Sequence, residues 1–129
     1  MKELIEKEKI LSKIRDILIK YGNSIKFAYL FGSFAKDQSD EYSDIDLGIF
    51  FAENISDEVK NSVRFEIMDA LEPYKVDICY LDKDDIGSEI FLEATDGIPI
   101  IINDEDSLYE ARIKHIHLYE ELKLVNITR

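Results

Sequence analysis

The sequence predicts one α/β (α+β) domain spanning residues 1–129, a mixed four-stranded sheet packed with helices. Three observations predict it. Segments of helical apolar spacing alternate with short apolar runs of strand length along the chain. Hydrophobic residues make up 46% of the chain, enough for a folded core. At 129 residues, with no internal repeat, low-complexity tract or linker, the chain has the size of one domain that buries about two-thirds of its unfolded surface.

Leu4, Lys7, Ile10, Leu11, Ile14, Ile17, Leu18 and Tyr21 largely follow helical spacing ahead of Gly22-Asn23, so Lys2 to Tyr21 reads as an amphipathic helix with its stripe on a sheet. Ile25 to Phe31 is the first strand and Asp44 to Phe51 the second. The short polar connection Asp37 to Ser43 favours antiparallel neighbours. Ser56 is the N-cap of a second helix, whose apolar face carries Val59, Val63, Ile67, Ala70 and Leu71 and which ends before Pro73. It returns the chain for a third strand, Val76 to Leu81. Asp82 or Asp84 caps a third helix through Ala94, and Asp96-Gly97 turns into Ile98 to Ile102, an edge strand on account of Pro99. Asp106 or Ser107 opens a last helix with the stripe Leu108, Ala111, Ile116, Tyr119 and Leu122, and the tail frays after Leu124.

The chemistry concentrates between Leu30 and Phe50. In an extended strand alternate side chains share a face, so Asp44 and Asp46 project together while Ile45, Leu47, Ile49 and Phe51 form the other face. Two like charges about 4 Å apart repel by roughly 4 kcal/mol at an effective dielectric near 20, so the pair calls for a cation or a raised pKa. A hard divalent ion such as magnesium, which takes one or two carboxylates together with phosphate oxygens, is the simplest answer. Gly32 allows a close backbone approach and Ser33 adds a hydroxyl. Phe34, Ala35 and Lys36 begin a short helix whose N–H groups and lysine charge face an anion. Without the Gly-Ser half, the two aspartates read as a solvated strand-end turn, and Lys36 alone reads as a surface lysine.

Gly32-Ser33, ten residues, then Asp44-Ile45-Asp46 resembles the signature of the nucleotidyltransferase superfamily that includes DNA polymerase β. The flanks, Leu30 to Ala35 and Ser43 to Leu47, resemble in particular the minimal nucleotidyltransferases, short prokaryotic proteins that often act as antitoxins to HEPN-domain toxins. The chain departs from that pattern at Lys36, where arginine is usual, and at Asp37, where glycine is common. The resemblance implies a nucleotidyltransferase domain over 1–129 with a third carboxylate on a later strand, which falls on Asp77, the acidic interior residue of Lys75 to Tyr80. It implies that Asp44, Asp46 and Asp77 are catalytic and hold two Mg2+ ions. Gly32 and Ser33, with Lys36, would grip the phosphates of ATP, and Asp77 would help deprotonate an acceptor hydroxyl. The implied acceptor is a tyrosine of a HEPN-type toxin, AMPylated within a hetero-oligomer. Alternatives are adenylation of an aminoglycoside, against which the length argues because such enzymes carry an extra helical domain, and a non-catalytic antitoxin acting by binding alone.

A net charge of −12 speaks against direct nucleic-acid binding, which needs lysine and arginine to replace phosphate counterions. It suits a basic partner or simply a solvated surface. Cys79, the single cysteine, permits no intrachain disulfide and reads as a core residue. Without a secretory signal or a membrane-length apolar run, the expected location is the cytoplasm. Arg112, His117 and Tyr119 form an Arg-x4-His-x-Tyr pattern that resembles the ribonuclease motif of HEPN proteins, but the predicted strands leave no room for a HEPN helical bundle. His115 and His117 lack the i, i+4 spacing of paired metal ligands and read as surface or interface residues.

Overall fold

The computed structural model describes residues 2–35 and 44–127, with side chains described for 6–32, 34–35 and 44–121. The order is α1 (Lys2–Ile19), β1 (Ile25–Phe31), α2 (Gly32–Ala35), β2 (Ile45–Phe51), α3 (Asp57–Ala70), β3 (Val76–Leu81), α4 (Glu89–Thr95), β4 (Ile98–Ile102) and α5 (Glu105–Ile127). The strands form one sheet in the order β3-β2-β1-β4. β1 runs antiparallel to both β2 and β4, and β2 runs parallel to β3 with α3 as the crossover. The expected mixed sheet is therefore present, with β4 on an edge as Pro99 requires.

Helices cover both faces, which is why β1 and β2 are buried along nearly their whole length instead of alternating. On one face Ile10, Ile14 and Leu18 of α1 and Val63 and Ile67 of α3 meet Ala28, Leu30, Leu47 and Ile49. On the other, Phe91 and Ala94 of α4 and Leu108 and Ala111 of α5 meet Phe27, Tyr29, Phe31 and Phe50. Each fully buried aliphatic or aromatic side chain contributes roughly 1.5–3 kcal/mol. Two glycines let the layers close. A Cβ on Gly48 would lie 3.0 Å from the Ala94 Cβ, and one on Gly97 would lie 2.1 Å from the Leu30 carbonyl oxygen. The open edge of β4 is partly closed by Arg15, whose Nε donates to the Ile100 carbonyl at 3.0 Å.

Ser56 caps α3 as expected, accepting from the Val59 amide at 3.3 Å. Elsewhere the boundaries differ. Asp82 caps only a single 3-10 turn, Lys83–Asp85. The chain then breaks at Gly87, whose φ is +98°, and Ser88 caps α4. A Cβ at Gly87 would lie 3.1 Å from the Leu118 Cβ, so α5 packs against this break and one continuous helix from Asp82 to Ala94 does not form. α5 starts at Glu105, not at Asp106 or Ser107, because the Asp104 carboxylate accepts from both the Ser107 amide, at 3.0 Å, and its hydroxyl, at 2.7 Å. Its helical backbone runs on to Ile127, past the expected fraying point. Its apolar stripe is corrected too: Ile116 is 54% exposed and Tyr119 is at the surface, while His115 takes the core position after Leu108 and Ala111. Leu4, Leu122 and the connection Asp37 to Ser43 lie outside what is described. Among the described residues no helix is long and apolar enough to cross a membrane.

Candidate active site

β1 ends where the chain must turn sharply across the mouth of β2. Gly32 makes this turn with φ +78°, and Asp46 fills the space a side chain would take: a Cβ there would lie 2.2 Å from Asp46 Oδ2. Glycine is thus required twice, by the backbone and by the carboxylate against it. α2 follows as one turn. Its last carbonyl, Ala35, accepts from Lys7 Nζ at 2.8 Å, and Phe34 meets Tyr74 edge-on at 6.3 Å. The Tyr74 hydroxyl in turn donates to Glu6 of α1. α1 and the segment before β3 therefore hold α2 at the end of the sheet.

Asp46 stands opposite Phe31 in the antiparallel register and opposite Asp77 in the parallel one. Asp46 and Asp77 are thus side by side on neighbouring strands, whose spacing is about 4.8 Å. Asp44 lies just ahead of β2, two residues from Asp46 and on the same face. Its Oδ2 lies 3.8 Å from Lys75 Nζ, and the Ile45 amide donates to the Lys75 carbonyl at 2.9 Å, fixing the starts of β2 and β3 together. Burial first, then the negative charges of Asp77, Asp44 and Glu93, push the Asp46 carboxyl above its ordinary range. The raised pKa and the demand for a cation, alternatives at the level of sequence, are two readings of one electrostatic fact: without a positive charge, Asp46 holds its proton more tightly.

Of the six residues singled out from sequence, the fold brings together Gly32, Asp46 and Asp77, with Asp44 at the rim. Ser33 follows Gly32 in α2, and Lys36 lies outside the described residues. Two residues escaped the sequence reading as parts of the site. Glu93, exposed on α4, adds negative charge toward Asp46, and nothing in its local sequence marks it. Lys7 was visible as the one lysine within the apolar stripe of α1, a position that a charged residue takes only with a partner. Cys79 is half-buried on the same face as Asp77, and burial followed by Asp77, Asp46, Asp85 and Glu93 pushes its thiol up, away from the thiolate a nucleophile needs.

The donor set is hard oxygen throughout, which fits magnesium. Among the described residues no three candidate ligands are gathered round one point.

The chain belongs to the nucleotidyltransferases of the polymerase β type: residues 12–106 match the family described as "Polymerase beta, Nucleotidyltransferase", a span holding the Gly32 turn and all three aspartates. No curated protein matches the sequence. Among solved structures, a toxin-antitoxin with AMP-PNP superposes with TM-score 0.70 at 18% identity, covering 92% of this chain and 93% of that one. The toxin-antitoxin MntA-HepT gives 0.65 at 17%, covering 94% and 93%. A tri-AMPylated Shewanella oneidensis HEPN toxin in complex with MNT antitoxin gives 0.66 at 18%, covering 95% and 93%. At these identities the likeness is one of fold.

Proposed function

We propose that this nucleotidyltransferase moves AMP from ATP onto a hydroxyl, releasing pyrophosphate, and that the acceptor is a tyrosine of a HEPN-type toxin which it silences as an antitoxin. The observation that carries the reading is the in-register pair Asp46 and Asp77, with Asp46 lodged against the Gly32 turn. A phosphate site and a carboxylate site then abut, as in-line phosphoryl transfer needs. Support for the nucleotide and the acceptor comes from the fold's likeness to a complex holding AMP-PNP and to one holding an AMPylated toxin.

In this reading the backbone of Gly32 and Ser33, with Lys36, receives the outer phosphates, and Asp44 and Asp46 hold the triphosphate end through magnesium. When bound, the two ions would neutralise charge on the attacking and leaving oxygens. Asp77 accepts the acceptor's proton as its oxygen attacks the α-phosphorus. The bond from that phosphorus to the bridging oxygen breaks, and pyrophosphate leaves with the electron pair. Glu93 adds to the negative field that draws cations to the rim. Tyr109, Ile113 and Ile116 form an exposed apolar row on α5 that a helical partner would cover.

The test is to purify the protein with a HEPN-type partner and to weigh both chains before and after incubation with ATP and magnesium. A gain on the partner of one or more AMP units, absent in Asp77→Ala, is expected. A stable complex without any gain, or an Asp44→Asn/Asp46→Asn double variant that still neutralises the toxin fully, overturns the catalytic reading in favour of binding alone. AMP transfer to an aminoglycoside and not to the partner would reassign the acceptor.

A further inference from the structure

The end of the sheet away from the aspartates carries a feature that the transferase reading does not use. A cavity of about 490 Å³ opens over the C-terminal ends of β2 and β3. Phe51 lies five residues along β2 from Asp46, about 16 Å at strand spacing, so this space is separate from the carboxylates. Its volume falls in the range of small-molecule sites.

Four lysines from four different segments line it: Lys26 of β1, Lys60 of α3, Lys83 of the 3-10 turn and Lys114 of α5. They are four of only sixteen basic residues in a chain of net charge −12. The ion pairs among the described residues are Lys20 with Glu66 and Lys75 with Asp44, so none of the four is neutralised by a neighbour within 4 Å. Tyr80 presents aromatic surface beside them, while Phe51 is buried beneath. Phe51 and Tyr80 meet edge-on at 5.7 Å, Lys60 Nζ sits 5.8 Å from the centre of the Phe51 ring, and Tyr80 is 37% exposed. Acceptors stand at the same rim in Glu53, Asp84 and Glu110. The fourth lining acid, Asp82, is engaged in accepting the Asp84 amide at 2.8 Å.

We propose that this cavity is a second binding site, for a small aromatic phosphate ester of which a nucleoside monophosphate is the simplest example. The flat ring lies on Tyr80, the phosphate is met by lysine ammonium groups of the lining, and the rim carboxylates accept from sugar hydroxyls. A bare phosphate would use the lysines and leave Tyr80 and the carboxylates idle, and an apolar ligand would leave the lysines unpaired. The site is independent of the transferase reading.

The experiment is a titration of the full-length protein with AMP, and separately with inorganic phosphate, in EDTA, followed by amide and lysine side-chain NMR. AMP is expected to shift residues 53–55, 80–84 and 110–114, with phosphate alone binding at least about tenfold more weakly. Lys60→Gln with Lys114→Gln should weaken AMP about tenfold or more, while Asp77→Ala leaves these shifts unchanged. Shifts confined to the surroundings of Gly32, Asp46 and Asp77, no shifts up to about 10 mM AMP, or an affinity untouched by the lysine substitutions would each overturn the proposal.

Discussion

Asp46 occupies the place where a side chain on residue 32 would be: its Oδ2 lies 2.2 Å from the Cβ that Gly32 lacks. The turn and the carboxylate are therefore one structural unit, and a change at either is felt by the other.

Gly32→Ala meets both obstacles, the φ of +78° and the occupied volume. A non-glycine residue in that region costs about 1–2 kcal/mol, and the cheapest escape from the clash is to swing the Asp46 carboxylate aside. Chemical denaturation should show a loss of about that size. Initial rates of nucleotidyl transfer should fall by at least about 100-fold, because a misplaced group at the reacting centre costs far more in rate than in stability.

Asp46 carries a pH signature. Its carboxyl is raised by burial and then by Asp77, Asp44 and Glu93, so the folded chain binds this proton more tightly than the unfolded chain does. The stability it contributes is complete below the ordinary carboxylate value and is lost as pH rises through the shifted one. Asp46→Asn should therefore raise the melting temperature at neutral pH, with the advantage vanishing toward about pH 3, and should abolish transfer. Calorimetry across that range checks it. Millimolar Mg2+ should stabilise the wild type at neutral pH, and much less so Asp46→Asn with Asp77→Asn.

His115 should give the opposite slope. Buried beside Phe91 at 5.1 Å and Tyr119 at 5.8 Å, it accepts from the Gly87 amide at Nδ1 at 2.9 Å, while its buried Nε2 has no hydrogen-bond partner among the described residues. Burial lowers its pKa, with Asp96 opposing in part. The unfolded chain then takes up the proton first, so stability present above the ordinary histidine value of about 6.5 is lost as pH falls below it. Denaturation between about pH 7.5 and 5 should show this loss, and His115→Phe should flatten the profile.

Arg112 ties α5 to the end of α4: its Nη2 donates to the Thr95 carbonyl at 2.6 Å and its guanidinium lies 5.9 Å from the Tyr29 ring. Arg112→Ala should cost about 1.5–3 kcal/mol by urea unfolding, the value of a charge-assisted hydrogen bond. Arg112→Lys should recover only part of it, since an ammonium does not stack as a guanidinium does.

β1, β3 and β4 were readable to the residue, as was the Ser56 cap, because each rests on a local run of apolar residues bounded by a turn or capping side chain. The helices around Gly87 were not. Whether Asp82 opens a long helix or a single turn depends on α5 packing against the break at Gly87, and Leu118 stands 31 residues further on. His115, by contrast, continues the i, i+3, i+7 face of Leu108 and Ala111, and was missed because a histidine was not expected in the core; the Gly87 amide supplies the donor that satisfies its Nδ1 there.

For the site, the sequence by itself determined the inventory: a glycine-serine turn after one strand, two alternating aspartates opening the next, and a lone acid inside a third. Strand alternation and the special backbone freedom of glycine fix those meanings locally. Only the tertiary structure decided which of these groups are neighbours. The parallel register sets Asp77 beside Asp46, the Gly32 turn closes on the same carboxylate, and α4 adds Glu93. Charge repulsion and burial act through space, and distances through space are set only once the sheet has closed.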